Sequence, residues 1–197
     1  MRSDPMVAVI MAAGRSQRFG RGDKRLATLP DGDTLLAATL AHTAAAVSRV
    51  RVVLRAGDDP AALGVACDTP IIRARRADNG LGASLADAFA ALMHDPELAD
   101  CRVAAVVLAD MPFVRPETMQ ALQREASSSR IVRPRHGEHI GHPVCFGRDV
   151  WPELSTLDGD QGGRSLIHRH SSRYREVSVD DPGIHADIDT PADIVRS

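Results

Sequence analysis

Aromatic side chains make up only 3% of this 197-residue chain: four Phe, one Trp and one Tyr. That leaves few stacking platforms and argues against a single-stranded nucleic-acid surface. Net charge is equally scarce. Twenty-four Lys and Arg stand against 26 Asp and Glu, giving −2, so no bulk field draws the chain to nucleic acid or to a membrane. Any anion site must therefore be local. No apolar run approaches the ~20 residues of a membrane span, and the start, Met1 to Pro5, is read as carrying no signal peptide. The three cysteines (Cys67, Cys101, Cys145) are far apart and form no Cys-x-x-Cys. Such a set reads as reduced, buried thiols of a cytoplasmic protein. The rest, 44% hydrophobic and 25% charged, is ordinary for a chain with one good core.

What the chain does have is concentrated at its start. Met6 to Ala13 (MVAVIMAA) has the length and composition of a buried strand. It runs into Gly14 to Lys24, a loop with three glycines and four basic side chains. Glycines let a backbone approach an anion closely enough for main-chain N–H groups to reach its oxygens. Arg15, Arg18 and Lys24 then supply charge where a triphosphate spreads its own. The loop is not a Walker motif, because Lys24 comes too late after Gly20 and Arg25 follows it. Nor does it have the Gly-x-Gly-x-x-Gly spacing of a dinucleotide site.

Further on, apolar strands alternate with Ala/Leu-rich helices. Helices are expected over Thr34–Val47, Gly82–Met93 and Pro116–Ala126. Strands are expected over Val50–Leu54, around Ile71–Ile72 and over Val103–Ala109. Strands apolar on both faces and alternating with helices predict a three-layer α/β/α sandwich around a mostly parallel, doubly wound sheet. From about Arg130 the periodicity loosens, Pro134–Pro143 is expected to be irregular, and the remainder reads as an elaboration on the sheet.

Asp110 directly follows the most continuous apolar strand, where open α/β sheets place ligands and where a carboxylate can hold Mg²⁺ against a triphosphate. Asp187 and Asp189 are two apart and face the same way on an extended segment. Either completes a two-carboxylate magnesium site with Asp110; the competing expectation is that Asp189 or Thr190 caps a helix starting at Pro191. Asn79, Gly82 and Ser84 open a helix in a manner suited to a base, ribose or phosphate. Gly141-His142-Pro143-Val144 and the acidic loop Leu157–Arg164 could line an acceptor pocket, Arg164 meeting a phosphate bidentately. Arg130, Arg133 and Arg135 form an electropositive patch, suited to acceptor phosphate or simply solvated. His136, His139 and His142 are not expected to bind metal, since Gly137, Gly141 and Pro143 break any helical alignment.

Taken in order, Ala12-Ala13-Gly14-Arg15-Ser16-Gln17-Arg18-Phe19-Gly20 with Lys24, then Asn79 with Gly82 and Ser84-Leu85, and Leu108-Ala109-Asp110-Met111-Pro112 form the first half of a signature. Gly141-His142-Pro143-Val144, Gly159-Asp160-Gln161-Gly162-Gly163-Arg164 and Asp187-Ile188-Asp189-Thr190-Pro191 complete it. The set resembles the molybdenum cofactor cytidylyltransferases, within the molybdopterin guanylyltransferase-like NTP transferases, along nearly the whole chain. The resemblance implies one nucleotide-diphospho-sugar transferase-like domain over 1–197. Residues 1–128 would be the nucleotide half, and 129–197 the acceptor-binding elaboration with the C-terminal metal motif. It also implies transfer of CMP from CTP to the phosphate of molybdenum-loaded molybdopterin with Mg²⁺, for a recipient enzyme of the xanthine dehydrogenase type. Arg18, Lys24 and Asp110 would be catalytic. Ala12, Ala13, Gly14, Arg15, Ser16, Lys24, Asn79, Gly82 and Ser84 would bind nucleotide, and His142, Pro143, Asp160 and Arg164 the acceptor. Metal would fall to Asp110 with Asp187 or Asp189. GTP, or a sugar-phosphate acceptor, is the alternative within the same chemistry; a non-catalytic module escorting the cofactor is the alternative outside it. The turn Leu29–Asp33 departs from the usual shorter lead into the first helix.

Overall fold

The computed structural model describes residues 4–15, 19, 22–160 and 162–194. Eight strands form one mixed sheet: β1 (Met6–Met11), β2 (Val50–Arg55), β3 (Ile71–Ala74), β4 (Val103–Leu108), β5 (Ile131–His136), β6 (His139–Ile140), β7 (Val144–Gly147) and β8 (Tyr174–Ser178). Their order is β3-β2-β1-β4-β7-β5-β6, with β8 beside β5. Strands β1 to β4 pair in parallel, β7 runs antiparallel between β4 and β5, and β8 is parallel to β5. The doubly wound, mostly parallel sheet expected from the sequence is what the chain forms.

The alternation of β1 divides the core in two. Val7, Val9 and Met11 face one side with Leu85, Phe89 and Leu92 of α2 (Leu81–His94), α4 (Trp151–Leu154) and Leu166 of α5 (Arg164–Arg169). Met6, Ala8, Ile10 and Ala12 face the other with α1 (Leu35–Ala46) and α3 (Pro116–Glu125). This is the period of two of a strand buried on both faces. Local chemistry starts the helices. Thr34 accepts a hydrogen bond from the Ala37 amide at 3.3 Å to cap α1. Pro116 stands in the first turn of α3, where its missing N–H costs nothing. Among the described residues no helix is long and apolar enough to cross a membrane.

Because β1 pairs with β2 on one side and β4 on the other, the chain reverses its winding direction between β1 and β4. The crevice beyond their carboxyl ends is the topological switch point, where open α/β sheets bind ligands. The Gly14 loop and Asp110 leave from those two ends. Since β5 runs parallel to β4 and β7 against it, Arg133 and His142 also come to this edge of the sheet.

Two expectations are corrected. Pro134–Pro143 is not irregular: β5 runs through Pro134 and turns back as β6, pairing Arg135 with Ile140. Pairing with β7 stops at Val132, so the missing N–H of Pro134 interrupts no ladder on that side. The segment from 131 elaborates the sheet by adding β7 and β5 next to β4. Cys67 is exposed, whereas Cys101 and Cys145 are buried; all three are free thiols.

Phe89 is fully buried and meets Phe146 and Trp151 edge-on, with centroids 6.0 and 5.8 Å away. Phe89→Ala should lose about 3–5 kcal/mol. Urea unfolding should show a lower midpoint with an unchanged m-value.

Candidate active site

A cavity of about 560 Å³ opens at the switch point. Its floor is the end of β1, Met11 to Ala13, and the Gly14–Arg15 backbone forms one rim. Asp78, Gly80, Leu81 and Ser84 form another wall, and Lys24, Asp110 and Asp189 a third. A Cβ on Gly14 would touch no described atom, so internal packing gives no reason for glycine there. Arg15 reaches across to Asp78, its Nε donating at 3.0 Å. Both side chains are more than half exposed, so the pair is weak and readily opened.

Lys24 begins the single 3-10 turn Lys24–Leu26, which Asp23 caps. Its ammonium is buried and donates to Asp110 Oδ2 at 2.8 Å and to Asp189 Oδ1 at 3.1 Å. Residues 24, 110 and 189 thus meet around one nitrogen. The C-terminal segment is steered there in steps. Asp181, 2% exposed, accepts from the Arg115 amide and the Thr118 hydroxyl. Gly183 lies so close to the Phe113 carbonyl that a Cβ would come within 2.1 Å of it. Finally the Ile188 amide donates to the Asp110 carbonyl at 3.1 Å. With Ile188 turned into the core, Asp189 enters the cavity, while Asp187 is exposed and does not line it. The two carboxylates therefore do not share one face of the cavity. The helix at Pro191–Ile194 (α6) is capped in reverse: Asp193 Oδ2 accepts from the amides of Asp189 and Thr190 and from the Thr190 hydroxyl.

Arg25 carries a role that spacing alone did not signal. Its guanidinium, one-tenth exposed, is gripped by Asp23 and Asp58 and donates to the Ala12 carbonyl at 2.8 Å. It ties the end of β1, the turn that presents Lys24, and the turn after β2 into one unit. The buried carbonyl of Ala12 is thereby satisfied, although its neighbours must stay open toward the cavity. In the sequence the only sign was a second cation beside Lys24 with aspartates at 23 and 58. The Leu29–Asp33 turn also belongs to this frame: Leu29 packs in a small cluster with Leu35, Ala38 and Ile188.

The glycines after β3 serve the protein's own packing. A Cβ on Gly80 would lie 2.0 Å from an Asp160 carboxylate oxygen, and one on Gly82 would lie 2.7 Å from the Gly159 carbonyl. The Gly82 amide donates to that carbonyl at 2.8 Å. Gly82 thus seats the 158–160 loop, whose Asp160 lines the cavity, and does not itself line it. Ser84 lines the cavity, with its hydroxyl donating to the Gly80 carbonyl. Asn79 is exposed and off the cavity. Ser16 and Arg18 lie outside the described residues.

Of the expected acceptor set, only Asp160 lines this cavity. Pro143 is buried, and His142 and Arg164 gather with Arg133 farther along the same edge. Burial, then the charge of Arg133, pushes the His142 imidazole down to about 4, so the ring is neutral at pH 7. Its Nδ1 is buried and takes no hydrogen bond among the described residues. Burial chiefly, and the charge of Arg164 opposing Tyr174 and Glu176, lowers the Arg133 guanidinium.

A profile of the MobA-like NTP transferase domain matches residues 8–174. This chain belongs to that family. A phosphoenolpyruvate guanylyltransferase of Geodermatophilus obscurus is 30% identical over 192 residues, covering 91% of this chain and 83% of that protein. The crystal structure of Rv0371c from Mycobacterium tuberculosis is 29% identical with a TM-score of 0.82, covering 100% of this chain and 98% of that one. A manganese complex of the same protein is 28% identical with a TM-score of 0.78, covering 98% and 97%. The chain is thus a nucleotidyltransferase of the MobA-like family, on a fold shared with its structural neighbours.

The Arg25 clamp gives a pH-dependent prediction. Hydrogen bonds from Arg25 hold the Asp23 carboxyl below its ordinary 3.8. Burial alone would raise Asp58, but bonds from Arg25 and the Arg55 amide carry it below 3.8 as well. Their contribution is therefore complete above pH 3.8 and lost as the pH falls below it. Arg25→Gln should lose about 3 kcal/mol near pH 7. In acid titrations followed by circular dichroism, the variant should lack much of the wild-type decline below pH 4.

Proposed function

We propose that this chain transfers CMP from CTP to the phosphate of molybdenum-loaded molybdopterin, releasing pyrophosphate. The transfer chemistry rests on one observation: Lys24, Asp110 and Asp189 converge on one wall of a cavity that Gly14 and Arg15 also line. The donor set fits a divalent cation. Asp110 Oδ1 is buried with no hydrogen-bond partner among the described residues, an expensive condition for a carboxylate oxygen unless a ligand completes it. No group of three or more His, Cys, Asp or Glu among the described residues is placed to cage a metal. Two carboxylates, with water and phosphate oxygens completing the shell, suit Mg²⁺. The manganese complex of Rv0371c supports divalent-metal use in a relative.

Asp110 and Asp189 would hold the cation, with Asp187 as the further candidate. When bound, it offsets negative charge on the phosphates. The protein's own groups do the rest. Amides of the Gly14 loop, with Arg15, Arg18 and Lys24, hold the β- and γ-phosphates that leave as pyrophosphate. The open space beside Gly14 supports a close approach there. The wall of Ala12, Ala13 and Ser84 flanks the nucleoside. An acceptor phosphate oxygen attacks the α-phosphorus in line, so no covalent enzyme intermediate is required and catalysis is positioning and charge stabilisation. Arg133, Arg164 and the neutral His142 receive the acceptor, with Asp160 on the cavity wall as a further acceptor contact. The product would pass to a molybdoenzyme of the xanthine dehydrogenase type.

The phosphate-binding parts do not read a base. Gly141–Val144 and Gly159–Arg164 support the cytidylyl reading. The relative named as a phosphoenolpyruvate guanylyltransferase supports a second: GTP as donor and a small phosphorylated acid as acceptor. Pyrophosphate release, measured with Mg²⁺ and each NTP against molybdenum-loaded molybdopterin or phosphoenolpyruvate, separates them. Turnover is expected with CTP and the molybdopterin cofactor; turnover only with GTP and phosphoenolpyruvate would replace the first reading by the second. Asp110→Asn should lower the rate by at least about 100-fold, since even groups that merely orient metal ligands cost 10–100-fold. Normal turnover by that variant would sink the metal assignment.

A further inference from the structure

The Lys24 ammonium occupies the ground between the two carboxylates that a cation would need. It is 7% exposed, 2.8 Å from Asp110 and 3.1 Å from Asp189. Arg25, the neighbouring cation, cannot take its place, because Asp23, Asp58 and the Ala12 carbonyl already hold its guanidinium. A divalent ion arriving alone would meet an ammonium already in contact with its ligands, and like charges at that range repel strongly in a partly buried site.

From this we infer that Lys24 is the internal counter-ion of the metal site, keeping free divalent metal out until a nucleotide draws the ammonium away. This rests on the metal-dependent reading above. A polyphosphate at the Gly14 loop offers Lys24 a partner of higher charge. The flexible four-carbon stem can carry Nζ from carboxylate to phosphate while the backbone stays put. The Asp23 cap and the Arg25 clamp fix that backbone, so the switch is confined to one side chain. Once Nζ leaves, Asp110 Oδ2 and Asp189 Oδ1 no longer face its positive charge, and the repulsion against an incoming metal is removed. Nucleotide then tightens metal binding, and by reciprocity metal tightens nucleotide binding. Lys24 thus has two successive partners: the carboxylates before substrate arrives, and the leaving phosphates afterwards.

The test is Mn²⁺ binding, read by calorimetry and by the electron-spin signal of free Mn²⁺, on the whole chain. Wild type, Lys24→Met and Asp110→Asn are compared without nucleotide and with an α,β-methylene analogue of CTP and of GTP. Without nucleotide, Lys24→Met should bind Mn²⁺ about 10-fold or more tightly than wild type, within the usual range of coupled sites. The gain in metal affinity on adding the analogue should shrink in Lys24→Met. Mn²⁺ should also raise the melting temperature of the variant more than that of wild type. Lys24→Gln, which keeps a hydrogen-bonding group without the charge, should behave likewise and replaces the Met variant if that one does not fold. Equal or weaker nucleotide-free binding by the lysine variants, with binding still dependent on Asp110, would overturn the counter-ion role and leave the metal site standing. Binding that is unchanged in Asp110→Asn, with and without nucleotide, would overturn the metal reading itself.

Discussion

A buried ammonium is costly unless carboxylates surround it, and the closure of this chain depends on that requirement at Lys24. The two carboxylates come from residues 86 and 165 positions away. Meeting the requirement joins the first loop, the end of the central strand and the C-terminal segment at one point. That point lies beyond β1 and β4, where the winding of the sheet reverses. Burial of the charge at this point and the position of the site therefore have the same cause.

Arg25 solves a related problem by different chemistry. A planar guanidinium with donors fixed in a fork can bind two carboxylates and a carbonyl at once, which an ammonium cannot do with the same rigidity. The adjacent cations thus divide the work. Arg25 is saturated and immobile, so it serves as a frame. Lys24 holds two carboxylates through a flexible stem, so it remains exchangeable. The glycines divide in a similar way. At Gly14 no described atom would meet a Cβ, whereas Gly80 and Gly82 are required by the 158–160 loop lying on them.

Much of this was legible in the sequence. The strands β1, β2 and β4 and the helices α1 to α3 follow from apolar runs and caps acting locally, and they stand within a residue or two of their expected bounds. Asp110 was legible because a carboxylate directly after the most apolar strand can only emerge at the ligand-binding edge. The strand through Pro134 was not, since its pairing partners lie far along the chain and no local signal reports an edge free of ladder bonds. The packing role of Gly82 was not legible for the same reason: a glycine made necessary by a loop some 80 residues away looks, in sequence, like one made necessary by a ligand. Spacing alone could not say which of Asp187 and Asp189 enters the cavity, because Ile188 turning inward beneath Asp110 places Asp189 there.

The split between the two regions of the binding edge explains how one fold can serve several nucleotidyl transfers. In the proposed reaction, phosphate handling falls to the Gly14 loop, Lys24, Asp110 and Asp189, where backbone amides and point charges would read a feature common to every NTP. Lys24, Asp110 and Asp189 are linked by part-buried ion pairs, so a change in one disturbs the others. Arg133, His142 and Arg164 lie apart, on β5, at the start of β7 and at the opening of α5, and the contacts of the catalytic wall do not run through their side chains. That region can change its chemistry without dismantling the phosphate site. A relative at 29% identity shares the fold, and the proposed division leaves what receives the nucleotide free to change. The acceptor has to be sought at the outer group, and the reaction type at the inner one.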